Sequence, residues 1–298
     1  MKYLTILGAL SLLLYSIHHL SKLIEENSKT KIKDFLYKFT STYISSFLCG
    51  IIICLITQSS SLVTILTIIL ISNKLINLDK GLCIVIGANI GTTLTPFIIT
   101  LDIGNYYYIL FVLSLFFIYI KKEELSSLLF VLGIIFLSLD IFEKTMFSLF
   151  NNTLISSFFE NTSTPLKGIT LGTIFAFLTQ SSSATIALTQ KLYMNNLING
   201  VLGCSIMLGA NIGTTISGLI YSLRESEDAK KLVIASLLFN VFGVFFTIPL
   251  LYIYMNAIND LHFEYLISVS HIVFNIVSGV IGLFFIKPLC YITKFLVK

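Results

Sequence analysis

Along this chain, apolar runs long enough for a membrane alternate with short polar breaks, and two of the breaks are the same. Predominantly apolar stretches cover residues 3–20, 81–101, 106–120, 125–142, 200–223, 233–255 and 265–286. A transmembrane helix needs about 20 such residues, so these predict seven full spans, 106–120 being the shortest. Four further apolar segments are too short. Residues 43–57 and 62–71 flank Gln58-Ser59-Ser60-Ser61, and residues 168–179 and 184–192 flank Gln180-Ser181-Ser182-Ser183. Two short arms meeting at a polar cluster predict a re-entrant helical hairpin with the serines at its tip, at 39–72 and again at 166–194. Irregular backbone at that depth is tolerated only where protein or a wet cavity satisfies it.

The two breaks belong to a larger duplication. Thr57 to Ser61 reappears as Thr179 to Ser183, and Gly87-Ala88-Asn89-Ile90-Gly91-Thr92-Thr93 reappears as Gly209-Ala210-Asn211-Ile212-Gly213-Thr214-Thr215. Both pairs are displaced by the same 122 residues. Duplicated, interrupted apolar segments point to a transporter. The expected fold is an all-α polytopic membrane protein of two inverted-topology repeats. The first covers residues 1–122, and the second covers 123–298 and includes a final span. Pro96 and Gly218 stand at equivalent places, and a helix break is expected at both.

Composition agrees with the pattern: 56% of the 298 residues are hydrophobic and 11% charged, with mean hydropathy +0.93. Soluble domains carry about 25% charged residues. Cys49, Cys54, Cys83, Cys204 and Cys290 lie scattered in apolar runs without metal-ligand spacing, so they read as small buried residues. No nucleophile–base pair, cofactor motif or nucleic-acid-binding pattern appears, and no enzyme activity or cofactor is expected. The first run lacks a small-residue cleavage site and reads as a retained span. Three full spans and one hairpin in the first half start the second half on the opposite side, and this topology sorts fifteen of the nineteen Lys and Arg residues onto one side and Lys2, Lys144, Lys167 and Lys191 onto the other. That asymmetry predicts a multi-pass protein of the cell membrane, with the N-terminus outside and the C-terminus cytoplasmic. Residues 22–38 and 143–167 are expected as polar connections.

Opposed hairpins would bring Gln58, Ser59, Ser60 and Ser61 against Gln180, Ser181, Ser182 and Ser183 near the midplane. Hydroxyls, carboxamides and helix N-termini favour an anion. No Lys, Arg or His lies in either motif, and an uncompensated anion is costly in low dielectric. A co-transported cation would supply the charge. Sodium, which prefers hard oxygen ligands, could be held by Thr57, Asn89, Thr92, Thr93, Thr179, Asn211, Thr214 and Thr215; no other metal is expected. Each net charge carried inward gains about 2.3 kcal/mol per 100 mV. Small polar residues also serve as packing contacts between membrane helices, and a structural kink is the second reading of the Asn-Ile-Gly-Thr-Thr segments, after ion binding. Asn240 and Asn275 fit interhelical hydrogen bonding at least as well as a substrate role. His271 is expected packed and neutral, and Asp102 and Asp140 are expected solvated at span ends.

The doubled Gln-Ser-Ser-Ser and Gly-Ala-Asn-Ile-Gly-Thr-Thr motifs, with Phe239-Asn240 and Phe274-Asn275 later on, resemble the type II sodium-dependent phosphate cotransporters, in particular their bacterial members. The resemblance covers nearly the whole chain. It implies inorganic phosphate as substrate, sodium as coupling ion, inverted repeats, alternating access and a phosphate site lined by Gln58 to Ser61 and Gln180 to Ser183. Many bacterial members carry a soluble helical regulatory domain after the membrane region. This sequence ends at Lys298, and no such attached domain is expected. Ser236 stands where a histidine would match His271, which puts a shared histidine role in question. Importing phosphate with sodium is the leading expectation. Carriage of another small oxyanion or organic anion, and a non-transporting membrane phosphate sensor, are the alternatives. Stoichiometry and oligomeric state are left open.

Overall fold

A computed structural model describes residues 2–26, 39–100, 107–150, 164–223, 225–258 and 264–297. Among these, all regular structure is helical. In chain order the helices are α1 (Lys2–Glu26), α2 (Tyr43–Thr57), α3 (Ser60–Ser72), α4 (Leu78–Thr92), α5 (Leu94–Ile99), α6 (Tyr107–Tyr119), α7 (Glu123–Phe150), α8 (Pro165–Thr179), α9 (Ser182–Met194), α10 (Gly200–Ser222), α11 (Glu227–Ile258), α12 (Leu266–Phe284) and α13 (Ile286–Leu296). Six stretches among the described residues are long and apolar enough to cross a membrane: Lys2–Leu20, Leu78–Ile99, Glu123–Met146, Gly200–Ser222, Glu227–Leu251 and Leu266–Phe284. The chain is therefore an all-α polytopic membrane protein. The seventh expected span, α6, is only 13 residues long, about 20 Å at 1.5 Å per residue.

The two hairpins are built alike. In each, the first arm ends at a glutamine in the left-handed region, Gln58 at φ 51° and Gln180 at φ 52°. The next residue caps the second arm: the Ser59 hydroxyl accepts from the Leu62 N–H at 3.2 Å, and the Ser181 hydroxyl from the Ala184 N–H at 3.1 Å. The exits also correspond. Asn73 and Asn195 each fold a side-chain amide back onto a carbonyl four residues earlier, at 2.8 Å in both, and Lys74 and Asn196 follow with φ near 57° (58° and 56°).

Each hairpin's first arm lies against the next motif helix, α2 on α4 and α8 on α10. Glycine is what allows the backbones to approach. A Cβ at Gly87 would sit 2.1 Å from the Phe47 carbonyl oxygen, and one at Gly209 2.0 Å from that of Ile169. The reverse contacts match: a Cβ at Gly50 would lie 2.1 Å from the Ile84 oxygen, and one at Gly172 2.0 Å from that of Ile206. The glycines of the repeated heptapeptide are thus the seam between hairpin and motif helix. Each second arm crosses to the other repeat, α3 packing on α10 and α9 on α5. The first helices of the two repeats, α1 and α7, pack on each other, and α11 and α12 run alongside both motif helices.

Sequence and structure differ in several places. The break expected at both Pro96 and Gly218 occurs in the first copy alone. There α4 stops at Thr92 and α5 starts at Leu94, because Pro96 has no N–H for the Thr92 carbonyl and its ring crowds that oxygen. Glycine keeps its N–H, so α10 runs unbroken through Gly218, whose absent side chain instead admits Val233, 3.2 Å from where a Cβ would stand. Helix α7 continues to Phe150, well into the polar connection expected from residue 143. Asp140 and Lys144, one turn apart, pair at 2.8 Å and keep these polar residues helical. Asp140 also accepts from the Tyr107 hydroxyl at 3.2 Å, so it is partnered as well as partly solvated. Helix α13 was not foreseen. It buries Ile286, Leu289, Cys290 and Thr293 on one face, the first three within the protein core, and exposes Lys287 and Lys294. Asp102, Arg224, most of the 22–38 connection and residues 151–163 of the second lie outside the described residues.

Candidate functional site

The two hairpin tips share one small polar cleft. Ser60, Ser61 and Thr64 of α3 line it on one side. Gln180, from the tip of the other hairpin, lines it on another. Asn89 of α4 and Thr214, Thr215, Ser217, Gly218 and Tyr221 of α10 form the floor, with Val233 and Ser236 of α11 behind. Its volume is about 30 Å³, room for roughly one or two waters. None of the lining side chains is formally charged.

Local structure explains why these atoms face the cleft. Ser60 and Ser61 are the first two residues of α3, and the N–H groups of a first turn have no intrahelical acceptor. Because Ser59 takes only the Leu62 N–H, the positive end of α3 opens toward the cleft with two hydroxyls beside it. The left-handed backbone at Gln180 costs a non-glycine residue on the order of 1–3 kcal/mol, yet its side chain is held: the Tyr221 hydroxyl donates to Gln180 Oε1 at 3.0 Å. The equivalent of Tyr221 in the first repeat is Ile99, so the two glutamines are not held alike.

Behind the floor, a buried amide network joins both motif helices. Asn240 of α11, 1% exposed, accepts from Asn89 Nδ2 at 3.4 Å. It donates to the Thr215 hydroxyl at 2.6 Å and to the Asn211 carbonyl at 3.3 Å. Asn211 Nδ2 donates to the Met207 carbonyl at 3.3 Å, and Asn211 Oδ1 lies 3.3 Å from His271 Nε2. Asn275 Nδ2 donates to the His271 carbonyl at 2.9 Å. Asn240, Asn275 and His271 are thus interhelical or intrahelical bonding groups in a packed interior.

Of the residues singled out by sequence, Ser60, Ser61, Gln180, Asn89, Thr214 and Thr215 meet at the cleft. The others lie around it. Gln58, Ser59 and Ser181 form the two turns, and Ser182 and Ser183 are buried at the start of α9. The Thr57 and Thr179 hydroxyls donate to Ile53 and Phe175 carbonyls at 2.9 and 2.8 Å. Those of Thr92 and Thr93 donate to Ala88 and Ile90 at 2.7 and 2.8 Å. Asn211 faces the amide network. Thr64, Ser217 and Tyr221 were missed, although helical spacing marks them: Thr64 lies one turn beyond Ser60, and Ser217 and Tyr221 follow Thr214 at intervals of three and four.

The profile of a family described as Na+/Pi-cotransporter matches residues 12–144 and again 141–259. YjbB of Escherichia coli (strain K12), a protein proposed to export inorganic phosphate, is 23% identical over 302 residues, covering 99% of this chain and 56% of its own length. The uncharacterized protein YqeW of Bacillus subtilis (strain 168) is 24% identical over 260 residues, 85% of each chain. Sodium-dependent phosphate transport protein 2B of Homo sapiens is 31% identical over 115 residues, 37% of this chain and 16% of that protein. The chain spans a little over half (56%) the length of the YjbB relatives it matches. No solved structure shows a significant match.

Proposed function

The chain belongs to the Na+/Pi-cotransporter family, and from that premise we propose that it is a secondary transporter carrying inorganic phosphate inward with sodium. The observation that carries the proposal is the shared cleft, in which the N-terminal serines Ser60 and Ser61 of one hairpin stand across from Gln180 of the other. Helix N–H groups and hydroxyls suit phosphate oxygens. With no formal charge in the lining, compensation falls to sodium, held by hydroxyl and carboxamide oxygens such as those of Asn89, Thr214 and Thr215.

The cleft is too small for a five-heavy-atom anion, so binding requires the tips to part. In our reading the two halves are inverted, with the N-terminus outside and the C-terminus cytoplasmic. Each hairpin then opens the site to one side in turn, as alternating access demands. The protein works in the cell membrane without a resident cofactor and does no bond chemistry. Radiolabelled phosphate uptake into proteoliposomes tests this. Uptake should require an inward sodium gradient and be lost in Ser60→Ala; equal uptake in sodium and in choline would refute the coupling. The name of the YjbB relative favours a second reading, in which the same cycle runs outward. Phosphate-loaded vesicles that empty under an outward sodium gradient, and do not fill under an inward one, would select it.

A further inference from the structure

Helix α12 lies between the two motif helices, packed against α4 and α10, and carries His271 and Asn275 one turn apart on the same face. They are 1% and 2% exposed. Their donors and acceptors can be assigned one by one. Asn211 Nδ2 donates to the Met207 carbonyl, so Asn211 Oδ1 is the accepting end of that amide. The 3.3 Å contact from His271 Nε2 to this oxygen then requires a proton on Nε2. A neutral imidazole protonated there leaves Nδ1 as a lone-pair acceptor. Asn275 Nδ2 donates to the His271 carbonyl, which leaves Asn275 Oδ1 as an acceptor also. Neither His271 Nδ1 nor Asn275 Oδ1 receives a hydrogen bond from any described residue.

Two buried acceptors a turn apart lack a donor, whereas buried polar atoms are nearly always bonded. We infer that His271 Nδ1 and Asn275 Oδ1 bind one ordered water between them, and that this water makes His271 a positioning residue for Asn211. A water's two O–H groups match two acceptors, and internal waters hold such otherwise unmatched groups. A hard cation fits less well, since one of the two groups is a nitrogen and such ions prefer several oxygens. With Nδ1 accepting from water, the proton stays on Nε2 and keeps Asn211 Oδ1 engaged. The Asn211 side chain is then fixed beside the backbone carbonyl that receives Asn240. The site does not depend on which solute is carried.

The test is solid-state NMR of the full chain, labelled with ¹⁵N-histidine and reconstituted in lipid. The chain has four histidines, and a background of His18→Gln, His19→Gln and His262→Gln leaves His271 as the one imidazole. The expected spectrum is a neutral ring protonated on Nε2, with Nδ1 shifted as a hydrogen-bond acceptor and correlated to a slowly exchanging water proton. Asn275→Leu should lose the water correlation and introduce a population protonated on Nδ1. Asn275→Ser, which keeps a small acceptor, should retain the correlation. A proton on Nδ1 in the unsubstituted site would overturn the assignment. So would the absence of a water correlation, or an Nδ1 resonance that moves when sodium replaces choline, which would mean an ion in place of water.

Discussion

Asn240 Nδ2 donates to the Thr215 hydroxyl at 2.6 Å, tying the third helix from the C-terminus to the second copy of the repeated motif. Asn240 Oδ1 meets the first copy at Asn89. Asn240 lies outside both copies, and its one side chain contacts each of them.

Substituting Asn240→Leu, close to isosteric, removes all three bonds and leaves the Asn89 amide without its acceptor, while the Asn211 carbonyl keeps the Thr215 hydroxyl at 2.8 Å. An unsatisfied buried group costs about 1–3 kcal/mol. The detergent-solubilised variant should unfold at a clearly lower temperature, and its phosphate uptake should fall more than tenfold. An unchanged unfolding midpoint would show that the bridge contributes nothing to stability.

Alanine at Gly87 or Gly209 would place a Cβ about 2 Å (2.1 and 2.0 Å) from a facing backbone oxygen. Backbone cannot step aside as a flexible side chain can, so the helix pair must separate, and overpacking of this kind costs at least 1–3 kcal/mol. Gly218→Ala meets only Val233 Cγ1, at 3.2 Å. Size-exclusion profiles of the expressed proteins should show aggregated or absent material for Gly87→Ala and Gly209→Ala, and a near-normal peak for Gly218→Ala.

Gln180→Gly relieves a left-handed backbone that glycine adopts freely while removing the carboxamide from the cleft. The variant should be as thermally stable as the parent, or up to about 1 kcal/mol more so, yet bind phosphate poorly. Tyr221→Phe removes only the hydroxyl that orients Gln180 and should raise the apparent KM for phosphate several-fold with smaller loss of maximal rate. Equal KM values for parent and both variants would remove Gln180 from the binding site.

Pro96→Ala restores an N–H for the Thr92 carbonyl and should let α4 run on into α5, as α10 does through Gly218. Removing an interior proline favours the helix by about 3 kcal/mol. Amide exchange around residues 92–96 should slow, and uptake should fall if the break acts as a hinge. Unaltered exchange would show that the break has another cause.

Much of the architecture was legible because membrane physics is strict. Span length and short arms follow from the cost of exposing polar groups to hydrocarbon. The arms 43–57 and 168–179 end at the same threonines as α2 and α8, since Gln-Ser-Ser-Ser carries both the stop and the next helix's cap. The second hinge was misjudged because Pro96 and Gly218 occupy equivalent positions but act through different physics, one by a missing donor and the other by a missing side chain.

Taken alone, the sequence determined the duplicated all-helical membrane fold, the two hairpin turns and the polar residue types at their tips, because these depend on local chemistry and on spacing. Which of those residues meet was decided by the tertiary structure. The crossing of α3 onto α10 brings Ser60, Ser61 and Thr64 to Tyr221 and Ser217, while Ser182 and Ser183 are buried in α9. Asn240, outside both copies of the motif, bonds to each of them. Contacts between residues more than a hundred positions apart depend on how helices cross, and a one-dimensional pattern does not contain the crossing.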